Sequence, residues 1–295
     1  DWIELVLSSA CNCRCRHCPS ARQAAGGEPM STREVAGWLR RGRDLGASGV
    51  WFGGGEPTLH PSLVSAVGRA RALGYSRLRL QTNGMRLAYP EYARELVEAG
   101  LGEVSVPILG ASAQDHDAMT RAPRSHELMI RGVRNLIRLG VRVEGDILIA
   151  GGTADHLDQA LTHAAGLGLS AFTFWLVSLH GLDPEADAPL VPTMTRLLPG
   201  LIRALDRAEA LGVTATTLHT PPCVLPSEYR QRYVHAGAWN LLVVTPGGEP
   251  FRAEDSPMEG GEYLDGCGVC SWRERCLGVR VDYLALHGGA EFEPV

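Results

Sequence analysis

Four thiols stand within eight residues near the start of the chain, in Cys11-Asn12-Cys13-Arg14-Cys15-Arg16-His17-Cys18-Pro19, directly after the apolar run Ile3 to Leu7. Three of them, Cys11, Cys15 and Cys18, have the spacing C-x3-C-x2-C. Cysteine thiolates are the usual ligands of iron–sulfur clusters. A [4Fe–4S] cubane takes one ligand per iron, so three thiols leave one iron free to bind and activate another molecule. A second set, Cys267, Cys270 and Cys276, follows C-x2-C-x5-C in a Gly-rich loop ending at Gly278, and Cys223 is its natural fourth thiol from far along the chain. That spacing signals a metal without identifying it, because zinc and iron–sulfur sites share it. Gly53-Gly54-Gly55-Glu56-Pro57 adds a stretch where a ligand can approach the backbone closely and a carboxylate can accept from an ammonium group. Cys13 is left over, and an inert thiol beside the loop is its default reading.

The elements that position these groups alternate. Strands are expected at Ile3 to Ser8, Gly49 to Phe52, Arg77 to Gln81, Glu103 to Leu109, Val141 to Ile149 and Ala171 to Leu179. Helices are expected from Ser31 to Leu45, Pro61 to Leu73, Pro90 to Ala99, Glu127 to Leu139, Asp155 to Leu167 and Met194 to Leu211. A Gly26-Gly27 break precedes the first helix, which Ser31 and Glu34 open as a capping box, and Gly100, Gly140 and Gly168 stand just past helix ends. Six strand-then-helix units mean a parallel sheet covered by helices, curled by right-handed crossovers into a barrel or part of one. Ligands in such folds collect at the C-terminal ends of strands, where the cysteine loop and the glycine stretch both lie. Past Gly212 the pattern changes to short strands at Val213 to Leu218 and Asn240 to Val244 among frequent Pro and Gly, so a boundary is read there.

The C-x3-C-x2-C loop after a first strand, with His17 before the third cysteine, resembles the radical S-adenosylmethionine (radical SAM) enzymes. Gly54, Gly55, Glu56 and Pro57 match that family's Gly-Gly-Glu-Pro motif, which meets the methionine amino group of S-adenosylmethionine. Gln81-Thr82-Asn83-Gly84 looks like its Thr-Asn-Gly segment, where the resemblance makes Gln81 a cofactor contact. It likewise implies that Ser105 reaches the cofactor and Arg121 meets its carboxylate, a pairing a guanidinium suits. Trp175 and Val177 could flank the adenine or simply fill a core strand. The resemblance implies an α/β partial (β/α)6 TIM-like barrel over residues 1–211 and a small SPASM or twitch-like domain over 212–295. There Cys223, Cys267, Cys270 and Cys276 would hold an auxiliary [4Fe–4S] cluster. In some relatives a lone cysteine instead hands a hydrogen atom to a product radical, which is the alternative for Cys223.

By the same resemblance the cluster on Cys11, Cys15 and Cys18 reduces S-adenosylmethionine, and the resulting 5′-deoxyadenosyl radical takes a hydrogen atom from a peptide or amino-acid-derived substrate. A sugar, nucleoside or cofactor precursor is the alternative substrate, and a reduced flavodoxin or ferredoxin the implied electron donor. A non-catalytic iron–sulfur electron carrier would explain both cysteine sets but not the glycine motif. Glu4, Glu144, Asp146, His180 and His219 fall on or beside barrel strands as candidates for substrate contact, and an acid there must be paired or lie in a wet cavity.

Composition fits this picture. The 295 residues, 45% hydrophobic, suffice for a large core without disulfide stapling, so the eight cysteines point to metal and to a reducing cytoplasm. Apolar runs stay short of the roughly 20 residues a membrane helix requires. A net charge of −5 gives no argument for nucleic acid as the main partner. Asp1 already reads as the start of a strand, so a preceding segment is expected.

Overall fold

The computed structural model describes residues 1–18 and 28–295. Pro19 and the Gly26-Gly27 break therefore lie outside the described residues. Strands β1 (Trp2–Val6), β2 (Gly49–Gly53), β3 (Arg77–Gln81), β4 (Glu103–Ile108), β5 (Arg142–Ile149), β6 (Ala171–Leu176) and β7 (Thr214–Leu218) pair in chain order, all parallel. The two-residue β8 (Tyr233–Val234) extends the sheet beyond β7, while β9 (Leu241–Val244) returns to pair parallel with β1, with β10 (Phe251–Arg252) antiparallel outside it. The sheet is an open partial barrel, and strands from beyond Gly212 flank both sides of the first six.

Helices α1 (Thr32–Asp44), α2 (Leu63–Ala72), α3 (Pro90–Ala99), α4 (Ala113–Thr120), α5 (Ser125–Arg138), α6 (Leu157–Gly166) and α7 (Met194–Ala210) accompany the strands, and α8 (Val281–His287) lies near the C-terminus. The expected capping box opens α1: Ser31 Oγ accepts from Glu34 N, and Glu34 accepts from Ser31 N at 2.7 Å. Gly100, Gly140 and Gly168 take positive φ just past their helices.

Two helices were not legible from periodicity. Helix α4 has no clean apolar stripe, burying His116, Met119 and Thr120, although its Ser112 cap, which accepts from Asp115 N, is a local start signal. Helix α8 is a short segment whose buried Tyr283 docks on α7, accepting from Met194 N at 2.7 Å. Strand β6 stops three residues before the expected Leu179: Val177 N still donates to Ile149 O of β5, but Val177 O, Ser178 Oγ and Leu179 N are bonded by the side chains of Arg280 and Asp282.

Strand alternation divides the molecule into two environments. Ile3 and Leu5 on β1, Val50 and Phe52 on β2, and Leu78 and Leu80 on β3 are buried under the helices in one continuous core. Each such side chain contributes about 1.5–3 kcal/mol of apolar burial. The opposite, lumen-facing positions are mixed: Trp2, Val6 and Trp51 pack with Leu241 and Val243 of β9 in a small second cluster, while Glu4, Arg79, Glu144 and Asp146 keep the rest polar. Among the described residues no helix is long and apolar enough to cross a membrane.

Candidate active site and second cysteine site

Leaving β1, the chain is held against the end of β2 by backbone alone. Gly55 N donates to Ser8 O at 2.8 Å and Glu56 N to Ala10 O at 2.7 Å. A Cβ on Gly54, whose φ is +120°, would stand 2.5 Å from Ser8 O, and one on Gly55 2.4 Å from Ala10 O. The two glycines are therefore required for the cysteine loop to start where it does. From the other side Arg14 N and Arg16 N donate to Thr120 O and Met119 O at 3.0 and 2.9 Å. These acceptors are the terminal carbonyls of α4, so the helix that sequence periodicity missed is the clamp on the loop.

All eight cysteines are free thiols. Cys11 is exposed and Cys15 and Cys18 are half-buried, whereas Cys13 is buried with its Sγ 3.6 Å from Met85 Sδ and 3.7 Å from Asn83 Nδ2. Three accessible sulfurs on one pinned loop, with the fourth enclosed by protein, fit a [4Fe–4S] cluster that keeps one iron open. The His17 ring meets Trp175 of β6 edge-on at 5.7 Å. Both rings leave a nitrogen buried and unpartnered, His17 Nδ1 and Trp175 Nε1. Burial lowers the His17 imidazole to about 4, so it is neutral near pH 7.

Glu56 is buried and tied to the ends of both β2 and β3. Its carboxylate accepts from Thr58 N at 2.9 Å, Thr58 Oγ1 at 2.5 Å, Thr82 Oγ1 at 2.7 Å and Asn83 N at 2.8 Å. Burial raises its pKa while these donors oppose the shift. With both oxygens engaged, Glu56 joins the end of β2 to the end of β3, and the backbone of Gly54 and Gly55 is left to face a ligand. Pro57 begins the short 3-10 turn that follows. Gln81 is exposed at the end of β3, with Ser105 of β4 as its Cα partner. Ser105 is fully buried, with its hydroxyl toward the Asp146 carboxylate. Arg121 is exposed in a left-handed conformation (φ 51°) directly after the Thr120 carbonyl that holds Arg14. The loop, the glycine stretch, Gln81, Ser105 and Arg121 thus gather at the C-terminal ends of neighbouring strands.

Beneath them the lumen is charged. Arg79 pairs with Glu144 at 2.6 Å and lies over the Trp51 ring at 4.5 Å, and Arg142 takes the other Glu144 oxygen at 2.7 Å. Burial, with Glu259 nearby, lifts Glu4 to about 7 against the pull of Arg79. Burial likewise lifts Asp146 to about 6. Arg79 and Trp51 were not singled out from sequence, although their alternating positions on short strands were the available signal. His180 does not belong to the lumen: it lies exposed in the turn after β6, because the strand ends before it. His219 is buried and paired with Glu259 at 2.8 Å.

Cys223, Cys267, Cys270 and Cys276 line a single pocket that is partly open to solvent, walled otherwise mainly by Pro221, Pro222, Leu264, Trp272 and Phe292. Burial and the three neighbouring thiols push Cys223 up to about 11. Among the described residues no three His, Cys, Asp or Glu side chains meet at a point one ion could occupy. Four thiols around one pocket are a ligand set that zinc and iron–sulfur sites share. Directly after Cys276, Arg280 donates to Leu176 O and Val177 O and pairs with Asp282 at 3.1 Å, while Asp282 accepts from Ser178 Oγ and Leu179 N. The second cysteine site is thereby anchored to the end of the strand whose Trp175 meets His17.

Comparison with known proteins agrees with this arrangement. The mycofactocin maturase MftC of Mycobacterium tuberculosis is 30% identical over 277 residues, covering 92% of this chain and 70% of that protein. A probable GTP 3′,8-cyclase of Methanopyrus kandleri is 28% identical over 166 residues, 56% of this chain and about half (53%) of that protein. Streptococcus suis SuiB, solved with its precursor peptide SuiA, superposes with a TM-score of 0.71 at 12% identity, over all of this chain and 74% of that one, and so shares the fold. Residues 5–164 match the Radical SAM superfamily, to which this chain belongs.

Proposed function

We propose that this radical SAM enzyme acts on a peptide or amino-acid-derived substrate bound in the barrel lumen below the cysteine loop. Cys11, Cys15 and Cys18 would hold the [4Fe–4S] cluster. Gly54, Gly55 and Pro57 would shape the S-adenosylmethionine site with Glu56 bracing it, and Gln81, Ser105 and Arg121 would contact the cofactor. When bound, cluster and cofactor supply a one-electron cleavage that yields a hydrogen-abstracting carbon radical. The chain's own residues set direction: α4 fixes the loop, and Trp175 and His17 close the mouth of β6. The lumen offers polar groups to a substrate entering from the open side of the sheet.

Residues 1–211 are read as the catalytic barrel. Residues 212–295 are read as an auxiliary unit in which Cys223, Cys267, Cys270 and Cys276 hold a second [4Fe–4S] cluster. Four thiols around one cavity favour Cys223 as a ligand over a hydrogen-atom donor. A reduced flavodoxin or ferredoxin and a reducing cytoplasm complete the proposal.

The observation that carries it is the pinned three-thiol loop above a polar lumen, and the peptide assignment draws on similarity to a maturase. The similarity to a GTP cyclase, together with the polar lumen, supports the second reading, a nucleoside or other small molecule. Anaerobic reconstitution with S-adenosylmethionine and dithionite should yield 5′-deoxyadenosine and about eight irons per chain, against about four for a single cluster. Deuterium transfer into 5′-deoxyadenosine from a labelled precursor peptide, and none from labelled GTP, supports the peptide. The reverse result supports the small molecule.

A further inference from the structure

On β5 the side chains of Val143 and Ile147 are buried under the helices, while Glu144 and Asp146 face the lumen. The two acids have opposite surroundings. Glu144 is held by two guanidiniums, Arg79 at 2.6 Å and Arg142 at 2.7 Å. Asp146 lies one pleat nearer the cysteine loop, and Arg79, committed to Glu144 and stacked on Trp51, only reaches it through space. Enclosure in the barrel and the Glu144 charge oppose its charged form, while hydrogen bonds from the neutral Ser105 and Gln81 favour it.

A carboxylate enclosed by protein without a cation of its own is costly, and a purely structural acid here would be expected to be paired as Glu144 is. Buried donors without a partner stand on either side of it along the lumen, Trp175 Nε1 toward the cysteine loop and Arg79 Nε on the far side. Register places Asp146 between Pro107 of β4 and Thr173 of β6, two residue pairs below Trp175 and so below the His17 contact. An acid facing the lumen under the cofactor site, whose nearby guanidiniums are both held by Glu144, has the properties of a receptor for a cation.

Resting on the reading of the lumen as the substrate chamber, we propose that Asp146 is the substrate anchor, its carboxylate taking a primary ammonium or a guanidinium group of the substrate. In a peptide that group is a lysine or arginine side chain or the amino terminus. Ser105, buried beside it, fixes the carboxylate's orientation. The uncharged wall at Pro107 and Thr173 leaves the cation no competing acid at that level.

The test uses reconstituted enzyme loaded with S-adenosylmethionine and four probes of one shape: butylammonium, butylguanidinium, butyramide and butyrate. Binding is read from broadening of the probe proton lines. At least one cation should bind about tenfold tighter than butyramide, as a charge-assisted hydrogen bond would give, and the preferred cation tells lysine-like from arginine-like recognition. Asp146→Asn should reduce that ratio to about one, and Thr173→Lys, which sets an ammonium on the neighbouring strand at the same level, should do so with Asp146 intact. No cation preference in the unmodified enzyme, or a preference that survives either variant in iron-loaded protein, overturns the anchor. Loss of S-adenosylmethionine affinity in Asp146→Asn would assign the carboxylate to the cofactor and overturn it too. Should the unmodified enzyme form no 5′-deoxyadenosine while cations still bind selectively, the catalytic reading fails and the anchor stands.

Discussion

The two cysteine sites are built by opposite means. The first puts three sulfurs on one short loop and fixes it almost wholly with backbone: two glycines without room for a Cβ on one side and the last carbonyls of α4 on the other. The second gathers sulfurs 44 residues apart, from Cys223 to Cys267 and on to Cys276, in a region of short 3-10 turns, and fixes them with buried side chains such as Arg280 and Tyr283. The first looks into a charged lumen with three thiols, and the second lines a mainly apolar pocket with four. A site that must bind and release a reactant needs an open coordination position on a rigid backbone. A site that only holds its group can be closed and wrapped by side chains.

The largest expected effect separates the two by function. Cys15→Ser should cut 5′-deoxyadenosine formation by at least about 1000-fold and remove about four irons per chain. Cys270→Ser should remove a similar amount of iron yet leave 5′-deoxyadenosine formation within about tenfold of the unmodified enzyme. Equal losses in both variants would break the comparison, because the second site would then be part of the reductive cleavage itself.

The next effect concerns how the second site is held. Arg280 is buried, bonded to two carbonyls at the end of β6 and paired with Asp282. Arg280→Met keeps the length of the side chain but leaves Asp282 and both carbonyls without their cation, at a cost of about 3–5 kcal/mol. A thermal melt should show this as a clear fall in midpoint. Because the same residues adjoin Trp175, the variant should also perturb the environment of the first cluster, read as a changed electron paramagnetic resonance spectrum. A lowered melt with an unchanged spectrum would mean that the two sites are mechanically separate.

The contrast also explains what was legible in the sequence. Cys11, Cys15, Cys18 and the Gly54-Gly55 pair are local patterns, so their spacing carried both the site and its place at the strand ends. The six parallel strands were legible for the same reason, since each is a short run with apolar residues at least at alternate positions and five of them follow a glycine that ends a helix, Gly46, Gly74, Gly100, Gly140 or Gly168. Helix α4 was not, because it is specified by its contacts, a buried His116 and carbonyls facing the cysteine loop, and not by an apolar period. The donors on Glu56 come from residues up to 27 positions away, so its bracing of β2 to β3 was not legible in the motif. The bonds by which Arg280, Asp282 and Tyr283 anchor the segment to β6 and α7 span 89 to 104 positions, and no local signal marks them.

The smallest effect probes the lumen at the point where the two regions touch. Glu4 on β1 is raised to about 7 by burial and by Glu259, which belongs to the C-terminal part of the chain, against the pull of Arg79. In the unfolded chain the group ionises near its ordinary value of 4.5, so between about pH 4.5 and 7 the folded protein binds the extra proton and stability falls as pH rises. Above that window the carboxylate is charged in both states and the full cost is present. Glu4→Gln keeps the shape beside Gly53, where a Cβ would meet Glu4 Oε1, and removes the charge. It should match the unmodified protein near pH 5 and exceed it by about 1–2 kcal/mol at pH 8, a value reduced from full linkage because the side chain is partly open to the lumen. Removing the neighbouring charge with Glu259→Gln should lower the Glu4 midpoint and shrink the same difference. If the two variants instead act additively at every pH, the lumen and the C-terminal segment are electrostatically independent, and their contact is one of packing alone.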